Sequence, residues 1–142
     1  MYSVLLADDS EDDRLLFAVA IARVPGLKLI ASVADGIEAM WYLEGQGEYG
    51  NRERFPLPDL LFLDFKMPRL GGLEVLQWLQ TRSVKPRVVV LSGSDLITDR
   101  QQALALGADD FRVKPNAPAE MLSLLQSVAE EMQSHHQTRR AV

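Results

Sequence analysis

Leu60-Leu61-Phe62-Leu63-Asp64 is an unbroken apolar run that stops on a carboxylate. A continuous run, rather than an alternating one, suits a strand covered on both faces, as in a parallel sheet. The same kind of run recurs on either side, at residues 4–7, 27–33 and 88–91, and a weaker fifth lies at 109–113. Between the runs the apolar spacing turns helical. Residue 10 to about residue 23 places Leu15, Leu16, Val19 and Ala20 on one face, and Ser10 with Asp13 resembles a capping box. Further helices are expected at 36–44, at 72–82 with Val75, Leu76 and Leu79 inward, at 97–106, and from 118 to about 133. The fourth of these has the weakest pattern. The order βαβαβαβαβα predicts an α/β fold: an open, doubly wound, five-stranded parallel sheet with right-handed crossovers, flanked by five helices. In strand order 2-1-3-4-5, such a sheet places its site at the carboxyl ends of strands one and three.

Two segments stand outside the repeat. Residues 45–58 form a long polar loop before the third strand, and loops of that length are often functional or mobile. Residues 134–142 read as a polar, frayed tail, so residues 1–133 are expected to be the folded domain.

Bulk composition narrows the function. The chain has 142 residues, which suits one domain, with 47% apolar and 25% charged residues. It has no cysteine, so disulfides, thiolate metal sites and thiol chemistry are excluded. A net charge of −5 disfavours binding nucleic acid through its phosphates. Arg139 and Arg140 are too few for a basic patch, and His135 and His136 read as solvated. No stretch approaches the ~20 apolar residues that cross a bilayer. The first residues lack the basic region of a signal peptide, so a cytoplasmic location with no membrane association is expected.

The strand ends carry the chemistry. Asp8 and Asp9 follow the first strand, Asp64 ends the third, Ser92 the fourth and Lys114 the fifth. In the predicted fold the three carboxylates converge, and unpaired they would raise one another's pKa. A hard divalent cation removes that conflict. Mg2+ needs only one or two direct carboxylates alongside water and phosphate oxygens, and the backbone carbonyl of Lys66 is placed to complete the protein ligands. A hydroxyl at Ser92 and an ammonium at Lys114 are what a bound phosphoryl group requires, and Gly93 would leave room for it. A carboxylate can itself accept the phosphoryl group. An acidic pair alone is ordinarily a solvated helix start favoured by the helix dipole, and a lone Ser or Lys at a strand end is ordinarily structural. The argument rests on their combination at four strand ends.

The motifs Leu5-Leu6-Ala7-Asp8-Asp9-Ser10, Leu63-Asp64-Phe65-Lys66-Met67-Pro68, Val90-Leu91-Ser92-Gly93 and Gly107-Ala108-Asp109-Asp110-Phe111-Arg112-Val113-Lys114-Pro115 together resemble a response-regulator receiver domain of bacterial two-component signalling, with its flavodoxin-like fold. The resemblance covers about residues 3–130. The long loop with Gly47-Glu48-Tyr49 is similar to that of stand-alone receivers partnered with phytochrome-type histidine kinases. The resemblance implies that Asp64 is the phospho-acceptor, that Asp9 and Asp64 bind Mg2+ directly and Asp8 through water, and that Lys114 pairs with the phosphoryl oxygens. It implies a cis bond from Lys114 to Pro115. It makes Ser92 and Phe111 the switch residues; Phe111 stands where the family usually has Tyr and lacks its hydroxyl. Lys66 falls where the family tunes dephosphorylation. The implied function is a single-domain response regulator, not an enzyme beyond its own phosphorylation and dephosphorylation. A sensor histidine kinase supplies the phosphoryl group. An unidentified downstream protein reads a change on the face of the fourth helix, fifth strand and fifth helix, and a homodimer through the last helices is compatible with the pattern.

Three other readings are weaker. A phosphatase of the haloacid dehalogenase type needs a second Asp two residues after the nucleophile, where Lys66 stands. A flavodoxin-like cofactor binder needs a Thr-, Ser- and Gly-rich first loop, where Asp8-Asp9-Ser10-Glu11-Asp12-Asp13 would repel phosphate. A receiver-like interaction module that is never phosphorylated would not need the full set of Asp8, Asp9, Asp64, Ser92 and Lys114. Trp41, Tyr42 and Trp78 read as packing residues, and Tyr49 and Phe55 as anchors of the long loop.

Overall fold

The computed structural model describes residues 1–83 and 85–141, with side chains described as far as 135 at the C-terminal end. Five strands, β1 (Tyr2–Ala7), β2 (Leu27–Val33), β3 (Leu60–Asp64), β4 (Arg87–Ser92) and β5 (Asp110–Val113), form one sheet in the order β2-β1-β3-β4-β5. Every neighbouring pair is parallel. The helices α1 (Glu11–Ile21), α2 (Gly36–Glu44), α3 (Gly72–Leu79), α4 (Ile97–Ala105) and α5 (Pro118–Ala141) alternate with the strands. This is the doubly wound sheet that the apolar runs predict, with the same strand order.

Strand alternation divides the core in two. Leu5, Ala7, Leu61, Leu63, Val88 and Val90 face α2, α3 and α4. Val4, Leu6, Leu60, Phe62, Val89 and Leu91 face α1 and α5. Every residue of β3 is buried, as the central strand of a two-faced sheet requires.

Helix α1 buries half of its expected face, Ala20 fully and Leu16 in part, and adds a neighbouring stripe. Leu15 and Val19 are 64% and 59% exposed, whereas Phe17, Ala20 and Ile21 are buried. Phe17, Ala20, Ile21 and Val24 form a second stripe at helical spacing, and all four join the core. That stripe carries the aromatic ring, which meets Phe62 edge-on at 5.0 Å and buries more apolar area than a valine. In α4 only Ala103 is buried, consistent with its weak pattern. Helix α5 continues to Ala141, well past residue 133, through the segment read as a frayed tail. The expectations for the His136, Arg139 and Arg140 side chains lie outside the described residues. No described peptide bond is cis, so Lys114–Pro115 is trans, contrary to the resemblance. Trans is the lower-energy isomer of an X-Pro bond by roughly 0.5–1 kcal/mol.

The long loop is anchored. Gly45 ends α2 in the left-handed region (φ 75°), a conformation that costs glycine little. Arg52 then donates to the carbonyls of Tyr42 (2.8 Å) and Leu43 (2.8 Å) in the last turn of α2 and of Phe55 (3.1 Å) in the loop, tying the two together. The Tyr42 hydroxyl donates to Pro56 O at 2.9 Å, and the rings of Tyr42, Tyr49 and Phe55 stack edge-on or tilted at 5.0–6.0 Å. The anchoring role of Tyr49 and Phe55 holds. Tyr42 is fully buried, Trp78 is partly buried and Trp41 lies on the helix surface.

Candidate functional site

The parallel sheet brings its carboxyl ends to one edge, so residues far apart in sequence meet there. Asp8 leaves β1 buried and Asp9 follows it exposed, while Asp64 closes β3 with 7% of its surface exposed. One ligand oxygen from each of Asp8, Asp9 and Asp64 lies within 4.8 Å of the others. Lys114, just past β5, places its Nζ 2.8 Å from Asp8 Oδ2 and 3.2 Å from Asp64 Oδ2. Its backbone N–H donates to Ser92 O at 2.7 Å, so the ends of β4 and β5 are tied to each other. Ser92 is buried, and its Oγ accepts from the Ser94 N–H at 3.1 Å. A Cβ at Gly93 would meet nothing within 4 Å, so the space beside Ser92 is open.

Electrostatics follow from this crowding. Burial, helped by the charge of Asp8 and opposed by Lys114, pushes the Asp64 carboxyl up to about 7. Burial works against the Lys114 ammonium, but its hydrogen bonds to Asp8 and Asp13 and the charges of Asp64 and Asp8 outweigh that and hold it fully charged. Three carboxylates this close together fit a divalent cation, which favours hard oxygen ligands and tolerates retained waters.

The structure brings together Asp8, Asp9, Asp64 and Lys114 as expected. Phe111 is not part of that group. It is buried inward, edge-on to Phe65 with ring centres 6.0 Å apart. Lys66 is exposed on the loop between β3 and α3, two residues beyond Asp64.

That loop is held by residues the sequence reading does not single out. Arg69, with φ 63°, reaches Asp35 through Nε at 2.9 Å and through Nη2. Asp35 is the buried N-cap of α2 and accepts from the Glu38 N–H at 2.9 Å. Burial alone would raise the Asp35 pKa, but that backbone bond and the Arg69 guanidinium lower it below the usual range. Beside the pair, the Gly36 N–H donates to Leu70 O at 3.1 Å. A side chain at Gly36 would run into that carbonyl, and one at Gly72 would stand 2.7 Å from Asp64 O. Both glycines are required by close approach. Two further residues come from α1. Arg14 Nη1 donates to Asp8 O at 2.8 Å, and Asp13 Oδ2 lies 2.9 Å from Lys114 Nζ. Asp13 carries a sequence signal of its own, the capping-box spacing from Ser10, but that spacing says nothing of Lys114.

Comparison with known proteins agrees with this fold. Among curated proteins, the chain is 34% identical over 117 residues to a protein-glutamate methylesterase/protein-glutamine glutaminase of Methanospirillum hungatei, covering 81% of this chain and 31% of that protein. It is 31% identical over 131 residues to the nitrate/nitrite response regulator NarL of Escherichia coli, covering 92% of this chain and 56% of the relative. The chain thus spans about a third to just over half the length of these relatives. Among solved structures it resembles the phosphorylated cyanobacterial phytochrome response regulator RcpA (TM-score 0.80, 30% identity, 91% of each chain). It also resembles the response regulator RPA3017 in red-light signalling of R. palustris (0.82, 28%, 90% of this chain and 91% of that one). A third is the Mn2+-bound response regulator Rcp1 (0.76, 28%, 90% and 91%). Residues 4–126 match the response regulator receiver domain, a span that takes in the carboxyl ends of all five strands, and the chain belongs to that family.

Proposed function

We propose that Asp64 accepts a phosphoryl group from a sensor histidine kinase and that the chain signals through the resulting change of shape. The observation that carries this is the convergence of Asp8, Asp9, Asp64 and Lys114 at the carboxyl edge of the sheet, with Lys114 Nζ 3.2 Å from the acceptor carboxylate. An Asp64 oxygen attacks phosphorus and the O–P bond forms. The P–N bond of the donor phosphohistidine breaks, and its electron pair returns to the imidazole. Hydrolysis reverses the state: water attacks phosphorus, the Asp64 O–P bond breaks with its electron pair returning to the carboxylate, and inorganic phosphate leaves. Lys114 supplies positive charge to the phosphoryl oxygens, and Ser92 turns its hydroxyl toward them. Asp9 and Asp64, the carbonyl of Lys66 and, through water, Asp8 would hold Mg2+, which neutralises charge on the transferring group.

The phosphoryl group adds about −1.5 to −2 charges. Ser92 and Phe111 respond, and the face formed by α4, β5 and α5 changes its affinity for a downstream protein. The sparse burial of α4 supports its role as the movable part. The likeness to regulators of phytochrome and red-light systems supports a phytochrome-type kinase as donor. The chain turns over no separate substrate and works in the cytoplasm. Among the described residues no helix is long and apolar enough to cross a membrane.

The test is intact-mass measurement after incubation with acetyl phosphate and Mg2+. One hydroxylamine-sensitive phosphoryl group is expected on the native chain and none on Asp64→Asn or without the cation. No gain, with beryllofluoride also failing to bind, would replace this reading with a phosphorylation-independent interaction module.

A further inference from the structure

Asp13 is a fourth carboxylate at the site, outside the group that can share a cation. Its backbone N–H donates to the N-cap Ser10 Oγ at 3.2 Å, which is one half of a capping box. The other half is missing. The Ser10 N–H, to which the third helical residue would ordinarily reach back, is already taken by Asp8 Oδ1 at 2.9 Å. The Asp13 carboxylate is therefore released from its local partner and meets Lys114 Nζ at 2.9 Å, closer than Asp64 does at 3.2 Å. About a third of its side chain is exposed, so its charge is open to solvent beside Lys114.

From this we infer that Asp13 is a positioning residue that restrains phosphorylation, by holding the Lys114 ammonium on the α1 side and by repelling an incoming anionic donor. This rests on Asp64 being the acceptor. Lys114 cannot satisfy three carboxylates and a phosphoryl group at full strength, since an ammonium has three donors. Each bond kept to Asp13 is one fewer for the phosphoryl oxygens. Both effects have the same sign, so loss of the Asp13 charge favours donor binding.

The experiment uses the native chain, Asp13→Asn, Asp13→Glu and Asp12→Asn with acetyl phosphate and Mg2+. Asp64 attacks phosphorus, the P–O bond to the acetyl group breaks, and acetate leaves with the electron pair. Asp13→Asn should lower the half-saturating acetyl phosphate concentration about 3- to 10-fold and tighten beryllofluoride binding by a similar factor, with the maximal rate little changed. Asp13→Glu, which keeps the charge, should remain close to the native chain. Asp12, exposed on the same first turn, controls for charge without position. An unchanged half-saturating concentration in Asp13→Asn, or an equal fall in Asp12→Asn, overturns the inference while leaving the acceptor role intact. Absence of phosphorylation in the native chain as well would overturn the acceptor reading and this inference with it.

Discussion

The Arg100 guanidinium on α4 donates to the carbonyl of Phe111 on β5 at 3.0 Å and lies 5.9 Å from the centre of the same residue's ring. A phenylalanine has no hydroxyl with which to report its position, so this arginine is the polar tie between the fourth helix and the aromatic. Arg100→Ala should loosen α4 at a cost of about 1 kcal/mol. Hydrogen exchange of Ile97–Ala105 is expected to rise about fivefold while β1 and β3 stay protected. Equal protection in both proteins would show that the tie does not hold the helix.

The raised Asp64 pKa has a definite consequence for stability. In cation-free protein its carboxyl is pushed from 3.8 to about 7, so between those values the folded state binds more protons than the unfolded one. Its contribution is fully present below the lower value and is lost as pH rises through the upper one. Asp64→Asn should flatten this dependence and be more stable than the native chain at pH 8 by roughly 1–3 kcal/mol. Urea unfolding in a chelator at two pH values measures it, and no gain at the higher pH would contradict the burial argument.

Asp35 behaves in the opposite sense. Its pKa is lowered in the fold, so its contribution is present above the ordinary carboxylate range and lost as pH falls through the folded value. Asp35→Asn keeps an N-cap but loses the charge facing Arg69, and should cost about 1 kcal/mol at neutral pH. The loop that this pair holds carries Lys66, so roughly tenfold weaker Mn2+ binding is expected in the same variant. Calorimetric titration decides it; undiminished affinity would separate the latch from the cation site.

Tyr42→Phe removes the donor to Pro56 O and leaves the ring in place. A loss of about 1–2 kcal/mol is expected, with faster proteolytic cleavage confined to residues 46–55. Cleavage at an unchanged rate would mean that Arg52 and the ring contacts secure the loop without the hydroxyl.

Strand runs such as Leu60–Asp64 made the sheet legible, because burial on both faces leaves a continuous apolar signature. Strand order then followed from alternation, and with it the meeting of Asp8, Asp9, Asp64 and Lys114. The face of α1 was not legible in the same way. Two apolar stripes overlap there, and only packing against Phe62 selects the one carrying Phe17. The extent of α5 was hidden because its last turns lack an apolar stripe. The Asp13–Lys114 and Asp35–Arg69 contacts escaped notice for a different reason. The partners lie 101 and 34 residues apart in the chain, and pairings between charged side chains at that separation leave no local pattern.

The side-chain hydrogen bonds that hold residues 45–58 run to the last turn of α2 or stay within the segment. The segment enters β3 at Leu60, whereas Asp64 stands at the far end of that strand, about 13 Å along it. Lengthening such a loop costs little, because closure entropy grows slowly with length. The segment is therefore a cassette. Its length can change with little effect on the carboxyl edge of the sheet, where Asp8, Asp64 and Lys114 meet.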